Sequence, residues 1–189
     1  MSVFPTTLAA SDLAAQLQQS QVDVSGASNN NNTQFLSYNG RAGGWSLGRD
    51  KIDVTGETML VATPSFQHGW VTWVNQKPHR SVVAFTSPLP SRPEPIDGNQ
   101  PSEVRAVMMA DQEGEMATFE TSTAGGTKAL ETLLAAMVQR ANPGSAYLYP
   151  RVELDESSYK NKTHGTTIYT PIFNIIEWCD ENGDAEVQT

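Results

Sequence analysis

His68-Gly69-Trp70-Val71-Thr72-Trp73-Val74-Asn75, then Gln76-Lys77-Pro78-His79, then Arg80-Ser81-Val82-Val83-Ala84-Phe85, is the stretch that decides the fold. Two runs rich in β-branched and aromatic residues flank a short polar segment, the pattern of a β-hairpin. A two-residue primed turn needs φ > 0 at both central positions, which Pro78 cannot adopt, so a four-residue loop over 76–79 is expected. With Asn75 opposite Arg80, one face carries Trp70, Thr72, Val74, Val83 and Phe85, and the other Val71, Trp73, Asn75, Arg80 and Val82. The first face reads as core. The second sets an indole beside a guanidinium and an amide, which a plain scaffold strand has no need to carry.

The chain of 189 residues suffices for one domain with a real core. Hydrophobic content of 38% and charged content of 17% are both low, and Thr, Ser, Asn, Gln, Gly and Pro fill the difference. That favours a β-rich, turn-rich protein over a helical bundle. No run approaches the roughly 18 apolar residues of a membrane span. The first ten residues lack a secretory signal, so a reducing cytoplasm is the expected compartment. Cys179 is the one cysteine, which excludes an internal disulfide and any cysteine-cluster zinc site.

The net charge of −9 argues against a protein that grips nucleic acid with its whole surface. The charge is uneven. Residues 1–100 carry six Lys and Arg against seven Asp and Glu, and residues 101–189 carry six against fourteen. Glu177, Asp180, Glu181, Asp184 and Glu186 crowd the C-terminus, the pattern of an acidic tail.

Working outward from the hairpin, residues 1–33 read as a short helix at 11–19, capped by Ser11, and an Asn-rich linker over 25–32. Residues 34–178 form the single β-rich domain, and 179–189 the tail. Strands are expected at 34–38 and 58–63, with Gly43-Gly44-Trp45 to Arg49 as extended chain bent at its glycines. The proline run 88–95 cannot pair within a sheet and should strap the surface. A second hairpin is expected from 103–110 and 115–121. A helix follows over 127–140 with Thr127 as N-cap and an apolar stripe of Leu130, Leu133, Leu134, Met137 and Val138. Strands at 146–154 and 166–178, the latter broken or bent at Pro171, close the chain around a loop at 155–165. A strand meander, a capping helix and a final hairpin are the order of an oligonucleotide-binding-type five-stranded antiparallel barrel with extra strands. A β-sandwich with one packed helix is the alternative.

Catalytic patterns are absent, and no cofactor or metal is expected. His68, His79 and His164 show neither metal spacing nor a neighbouring nucleophile motif. Ser122-Thr123-Ala124-Gly125-Gly126-Thr127-Lys128 lacks the order of a phosphate-binding loop and reads as a glycine turn before a helix cap. Paired carboxylates at Asp50/Asp53 and Glu153/Asp155 have nothing beside them to complete a metal site.

What remains is a set of aromatic residues interleaved with cations. Trp73 sits beside Arg80 with Lys77 at the hairpin tip, and Trp45 beside Arg49 and Lys51. Tyr147, Tyr149 and Arg151 alternate on one strand face, and Tyr159, Lys160 and Lys162 occupy the following loop. Single-stranded nucleic acid needs this mixture, with rings for bases to stack on and cations for the phosphates between them. Trp70, Phe85, Phe173 and Trp178 are assigned to the core. An acidic tail could occupy such a basic groove when the strand is absent and swing out to partner proteins when it is present.

Gly44-Trp45…Gly48, Gly69-Trp70-x-x-Trp73 and Tyr159-Lys160…Gly165-Thr166…Tyr169-Thr170-Pro171-Ile172-Phe173…Trp178 together resemble small tailed-phage single-stranded-DNA-binding proteins of replication and recombination modules. The resemblance spans roughly 34–189. It implies the oligonucleotide-binding fold, non-catalytic coating of exposed strands, and an acidic C-terminal tail that contacts replication or recombination proteins. This chain ends in Val187-Gln188-Thr189, without the terminal aromatic of many such tails. The expected partners are therefore single-stranded DNA, replication proteins and a second copy of the chain in a dimer, with no membrane. A phage protein-interaction module with an acidic surface, either a host-factor inhibitor or a virion accessory protein, is the competing reading.

Overall fold

The structure, a computed structural model, describes residues 34–141 and 145–187. The helix expected at 11–19 and the linker at 25–32 lie outside the described residues. Ten strands and one main helix follow in order. They are β1 (Gln34–Tyr38), β2 (Trp45–Leu47), β3 (Ile52–Asp53), β4 (Thr58–Val61), β5 (Gln67–Val74), β6 (Lys77–Ala84), β7 (Ser102–Ala110), β8 (Met116–Thr121), α1 (Ala124–Arg140), β9 (Tyr149–Lys160) and β10 (Thr167–Cys179). The mostly β class with one helix read from the sequence holds.

The sheet is organised on β7. One edge of β7 pairs with β8, and the other is shared by β5 along its first half and β4 along its second. A 3-10 turn at Thr63–Ser65 separates β4 from β5, so the sheet branches there. One branch continues from β4 to β9 and β10, and the other ends at β6. From β8 the order runs on to a parallel β1, then β2 and β3. The ladder does not close, so the pairing does not establish an oligonucleotide-binding-type barrel. The sheet does curl until its ends approach. The Trp45 indole donates to the Asp155 carbonyl (2.8 Å), and the Tyr169 N–H to that of Gly40 (3.1 Å).

The concave face of this curl is the core. Leu36, Trp45, Met59, Val61, Val107, Met109, Phe119, Val152 and Leu154 line it, and Leu130, Leu133 and Met137 of α1 close it. Trp45 is 1% exposed and its ring packs against Tyr38, Phe119 and Phe173 at 5.1–5.2 Å. Leu130, Leu133 and Met137 keep the expected stripe, but Val138 at its margin is exposed. The helix starts three residues earlier than expected. Thr123 is the N-cap, its hydroxyl accepting the Gly126 N–H at 3.1 Å. Gly126 lies so close to the end of β8 that a Cβ there would sit 2.8 Å from Thr121 Cβ. The glycine pair is thus the first turn of α1 and not a loop before it.

The central hairpin exists, but its turn is Asn75–Gln76. Val74 pairs with Lys77, and both turn residues have positive φ (49° and 64°), a two-residue primed turn. Pro78 is no obstacle because it sits in β6 opposite Trp73, at a position whose N–H would point away from β5. The pairing slips by an even number of residues from the expected register, so every side chain keeps its face. Gly69 lets β6 approach β5, since a Cβ there would lie 2.6 Å from Val82 Cα and closer still to Ser81 O.

β10 runs unbroken through Pro171, whose missing donor falls on the free edge, in line with the outward Tyr169 N–H. β9 continues to Lys160, so most of the loop expected at 155–165 is strand. The proline segment after Phe85 straps β5 as anticipated. Trp70 Nε1 donates to the Pro90 carbonyl (2.8 Å), and the Arg92 guanidinium lies 5.7 Å from the Trp70 ring. Phe85 is not core. It is 36% exposed, against His68.

Candidate functional site

Where β8 ends and α1 begins, an open groove of about 620 Å³ runs between the β1 end, the first turn of α1 and the β9–β10 hairpin. Tyr38, Tyr159 and Tyr169 line it, with Ser122, Thr123, Gly125 and Gly126 along one side and Phe119 and Pro171 among the apolar residues. Each tyrosine has a structural reason to be there. Tyr38 ends β1 opposite Trp45, and its hydroxyl donates to Glu156 Oε2 (3.2 Å). Burial first, and then the Glu156 charge, push the Tyr38 phenol well above its usual range, so it stays a donor. Glu156 also accepts the Gly44 N–H at 2.6 Å, which ties the β1–β2 turn to β9. Tyr159 and Tyr169 are brought in by the long final hairpin, where Tyr159 pairs with Ile168 and Tyr169 with Ser158. Tyr159 is 54% exposed.

The groove also receives the start of α1. The first turn of a helix carries unpaired N–H groups and the positive end of the macrodipole. Rings plus a positively polarised rim can hold a planar base and the negative group attached to it. No periodic or motif signal in the chain marks this groove, because its walls come from four separate segments around 38, 122, 159 and 169. The one local sign is the Ser122–Gly126 run, which lacks the phosphate-loop order.

The residues singled out from the sequence divide into two groups. Trp73 is 52% exposed and shares its face with Arg80, as anticipated. Lys77, Arg49, Lys51, Lys160 and Lys162 are exposed, with Lys51 Nζ donating to Ser37 Oγ at 3.3 Å. Tyr159 and Lys160 lie on β9 and not in a loop.

The second group is spoken for. Trp45 cannot stack on a base because it fills the core. The positive-φ glycines Gly43, Gly44 and Gly48 turn its strand so that the ring points inward. Arg80 is held by Glu120, which itself lines the groove. Arg151 donates to Glu177 (2.5 Å) and to the Gly183 carbonyl (3.0 Å), so it staples the chain end and does not offer itself to phosphate. Tyr149 is half-buried beneath the C-terminal segment. Burial, with Glu181 and Asp180 beside it, pushes its phenol above the usual value. Tyr147 precedes β9 and does not alternate with Tyr149 on a strand.

A separate correction concerns the tail. Residues 180–187 are not a swinging arm. The Asp180 carboxylate accepts the N–H groups of Asn182 and Asp184 (2.8 and 3.0 Å). Ala185 bridges to Cys179, the Glu186 N–H returns to the Trp178 carbonyl (2.8 Å), and the Glu186 carboxylate pairs with Arg140. Arg140 is in the last turn of α1, so this acidic turn is fixed near the C-terminal end of a 17-residue helix whose other end opens the groove. At 1.5 Å per residue the two are about 25 Å apart.

Electrostatically, Arg80, Arg105, Arg140 and Arg151 are all in ion pairs. Arg41, next to the groove residue Gly40, is exposed, as are Lys160 and Lys162 around the hairpin tip. Among the described residues no cluster of three or more His, Cys, Asp or Glu could hold a metal ion. None of their helices is long and apolar enough to cross a membrane. No family model, curated protein or solved structure matches the chain, so the resemblance to phage proteins rests on its sequence motifs alone.

Proposed function

We propose that this chain is a non-catalytic single-stranded-DNA-binding protein of the kind that coats exposed strands in phage replication and recombination, in the host cytoplasm. One observation carries the reading: three tyrosines and the start of α1 meet in one open groove, while the acidic C-terminal turn is pinned at the far end of the same helix. Bases stack on Tyr169 inside the groove and on Tyr159, which the ladder sets on the other face of the β9–β10 hairpin, and phosphates outside the groove meet Arg41, Lys160 and Lys162. The interface is thereby moved from the Trp73 hairpin face to the groove, with Trp73 as an accessory ring.

A fluorescently labelled oligo(dT) titrated at low salt, with anisotropy as the readout, tests this. Absence of binding under those conditions, where it should be strongest, rejects it. A protein-interaction module is the second reading. It is favoured by the arginines already neutralised in ion pairs and by the exposed Phe35, Ile52 and Trp73. Partners that survive nuclease treatment in a pull-down from host lysate would support it.

A further inference from the structure

The sheet has three ends, and two of them are protected against pairing with another strand. β3 is two residues long, and β10 carries Pro171, a bond to Gly40 and the bridge to Ala185. β6 is different. It is eight residues long and, among the described residues, pairs with β5 alone. Hydrogen-bonded and non-bonded pairs alternate in an antiparallel ladder. Because Val74 and Lys77 close the two-residue turn, Lys77, His79, Ser81 and Val83 face β5 with their backbone groups. Pro78, Arg80, Val82 and Ala84 turn theirs outward. The strap does not cover this edge. It leaves through the Ser87 N–H bond to the Ala84 carbonyl and crosses above Trp70, on the face of the sheet.

We infer that β6 pairs antiparallel with β6 of a second copy of this chain, joining two sheets across a two-fold axis near Ser81–Val82. The occupant follows from how charge is distributed along the strand. Lys77 and Arg80 lie in its first half, and Val82, Val83 and Ala84, followed by Phe85, in its second. Antiparallel self-pairing lays each basic half against the partner's apolar half, whereas parallel pairing would set Lys77 on Lys77 and Arg80 on Arg80. Centred on Ser81, Arg80 exchanges both backbone bonds with Val82 of the other copy. Ala84 then donates to the Pro78 carbonyl, so the proline is never asked for a proton. Arg80 is already neutralised by Glu120, so no uncompensated charge is brought to the axis. This pairing does not depend on the DNA-binding reading.

Sedimentation equilibrium of the full chain from about 1 to 200 µM gives the first test, with twice the monomer mass expected at the upper end. Val82→Lys opposes Lys to Arg80 or to itself in either two-fold register and should raise the dimer Kd at least tenfold. Val82→Pro removes an outward donor without touching the β5 ladder and should do the same. Val82→Glu separates the registers, tightening the dimer if Arg80 is its neighbour and weakening it if Glu faces Glu. Hydrogen exchange on the unmodified chain gives an independent reading. The Arg80 and Val82 amides should gain protection as concentration rises. A monomer throughout the range, dimers unaffected by both Val82→Lys and Val82→Pro, or protection that ignores concentration would each overturn the inference. Concentration-independent protection would assign the edge to another segment of the same chain.

Discussion

Replacing Tyr159 by Ala is the most direct probe of the groove. The ring is 54% exposed and lies on a hairpin that projects from the core, so folding loses almost nothing. An exposed substitution of this kind changes stability by about 0.5 kcal/mol or less, a shift of roughly 2 °C or less in Tm. Binding is another matter. A stacked base contributes about 1–3 kcal/mol, and each 1.4 kcal/mol is tenfold in Kd, so Tyr159→Ala should weaken oligo(dT) binding between about fivefold and about 150-fold. Anisotropy titrations of wild type, Tyr159→Ala and Trp73→Ala at one low salt concentration decide the point. Trp73 is nearly as exposed, at 52%, but does not line the groove. Its removal should therefore cost less than that of Tyr159. If Trp73→Ala loses tenfold or more while Tyr159→Ala binds like wild type, the strand runs along the hairpin face and the argument from the groove is refuted.

Salt dependence should be shallow for a nucleic-acid binder. With Arg41, Lys160 and Lys162 as the phosphate contacts, the slope of log K against log salt is about −2, or roughly a 20-fold loss between 50 and 200 mM. A loss of a thousandfold would require about seven phosphate contacts, more than these three cations supply. Gly69→Ala should lower Tm by roughly 6–12 °C, from about 3 kcal/mol of overpacking against the β6 backbone; an unchanged melting curve would mean that the hairpin pairs less closely. Arg151→Ala removes the staple over Cys179, which is 0% exposed, so disulfide-reagent labelling of that thiol should speed up about tenfold. Equal labelling rates would show the turn held without it. Burial works against ionised Asp180, but the N–H groups of Asp184, Asn182 and Gly183 outweigh it and hold its carboxyl below the usual value. A depressed folded pKa means that the stabilisation is present above the unfolded value of about 3.9 and lost as pH falls through the folded one. The amide resonances of Asn182 and Asp184 should therefore collapse toward random-coil shifts only below about pH 4, and a collapse near pH 6 would contradict the bonding.

The reach of the sequence is clearest where it erred. Strand faces were readable even though the turn was misplaced, because a slip by an even number of residues cannot exchange the faces of Trp73 and Val74. Trp45 was misjudged for a local reason. Glycines and arginines around a tryptophan look like an exposed site, yet the same glycines at positive φ allow the chain to fold the ring inward against Phe119 and Phe173. The arginines were misjudged for a non-local one. Nothing at Arg80 or Arg151 announces Glu120 or Glu177, which lie 40 and 26 residues away and meet them only through the pairing of the sheet. The groove shares that origin, since Tyr38 and Tyr169 are brought together by Gly40 and Glu156, contacts that no periodicity in the chain encodes. Ligand-facing cations in an acidic chain can then be identified by subtraction. Once the carboxylate partners of the paired arginines are placed by the topology, Arg41 and Lys160 are left exposed next in sequence to the groove residues Gly40 and Tyr159, with Lys162 two residues further on, and under the proposed reading that residue set, more than the count of basic residues, is what would admit an anionic strand to a protein of net charge −9.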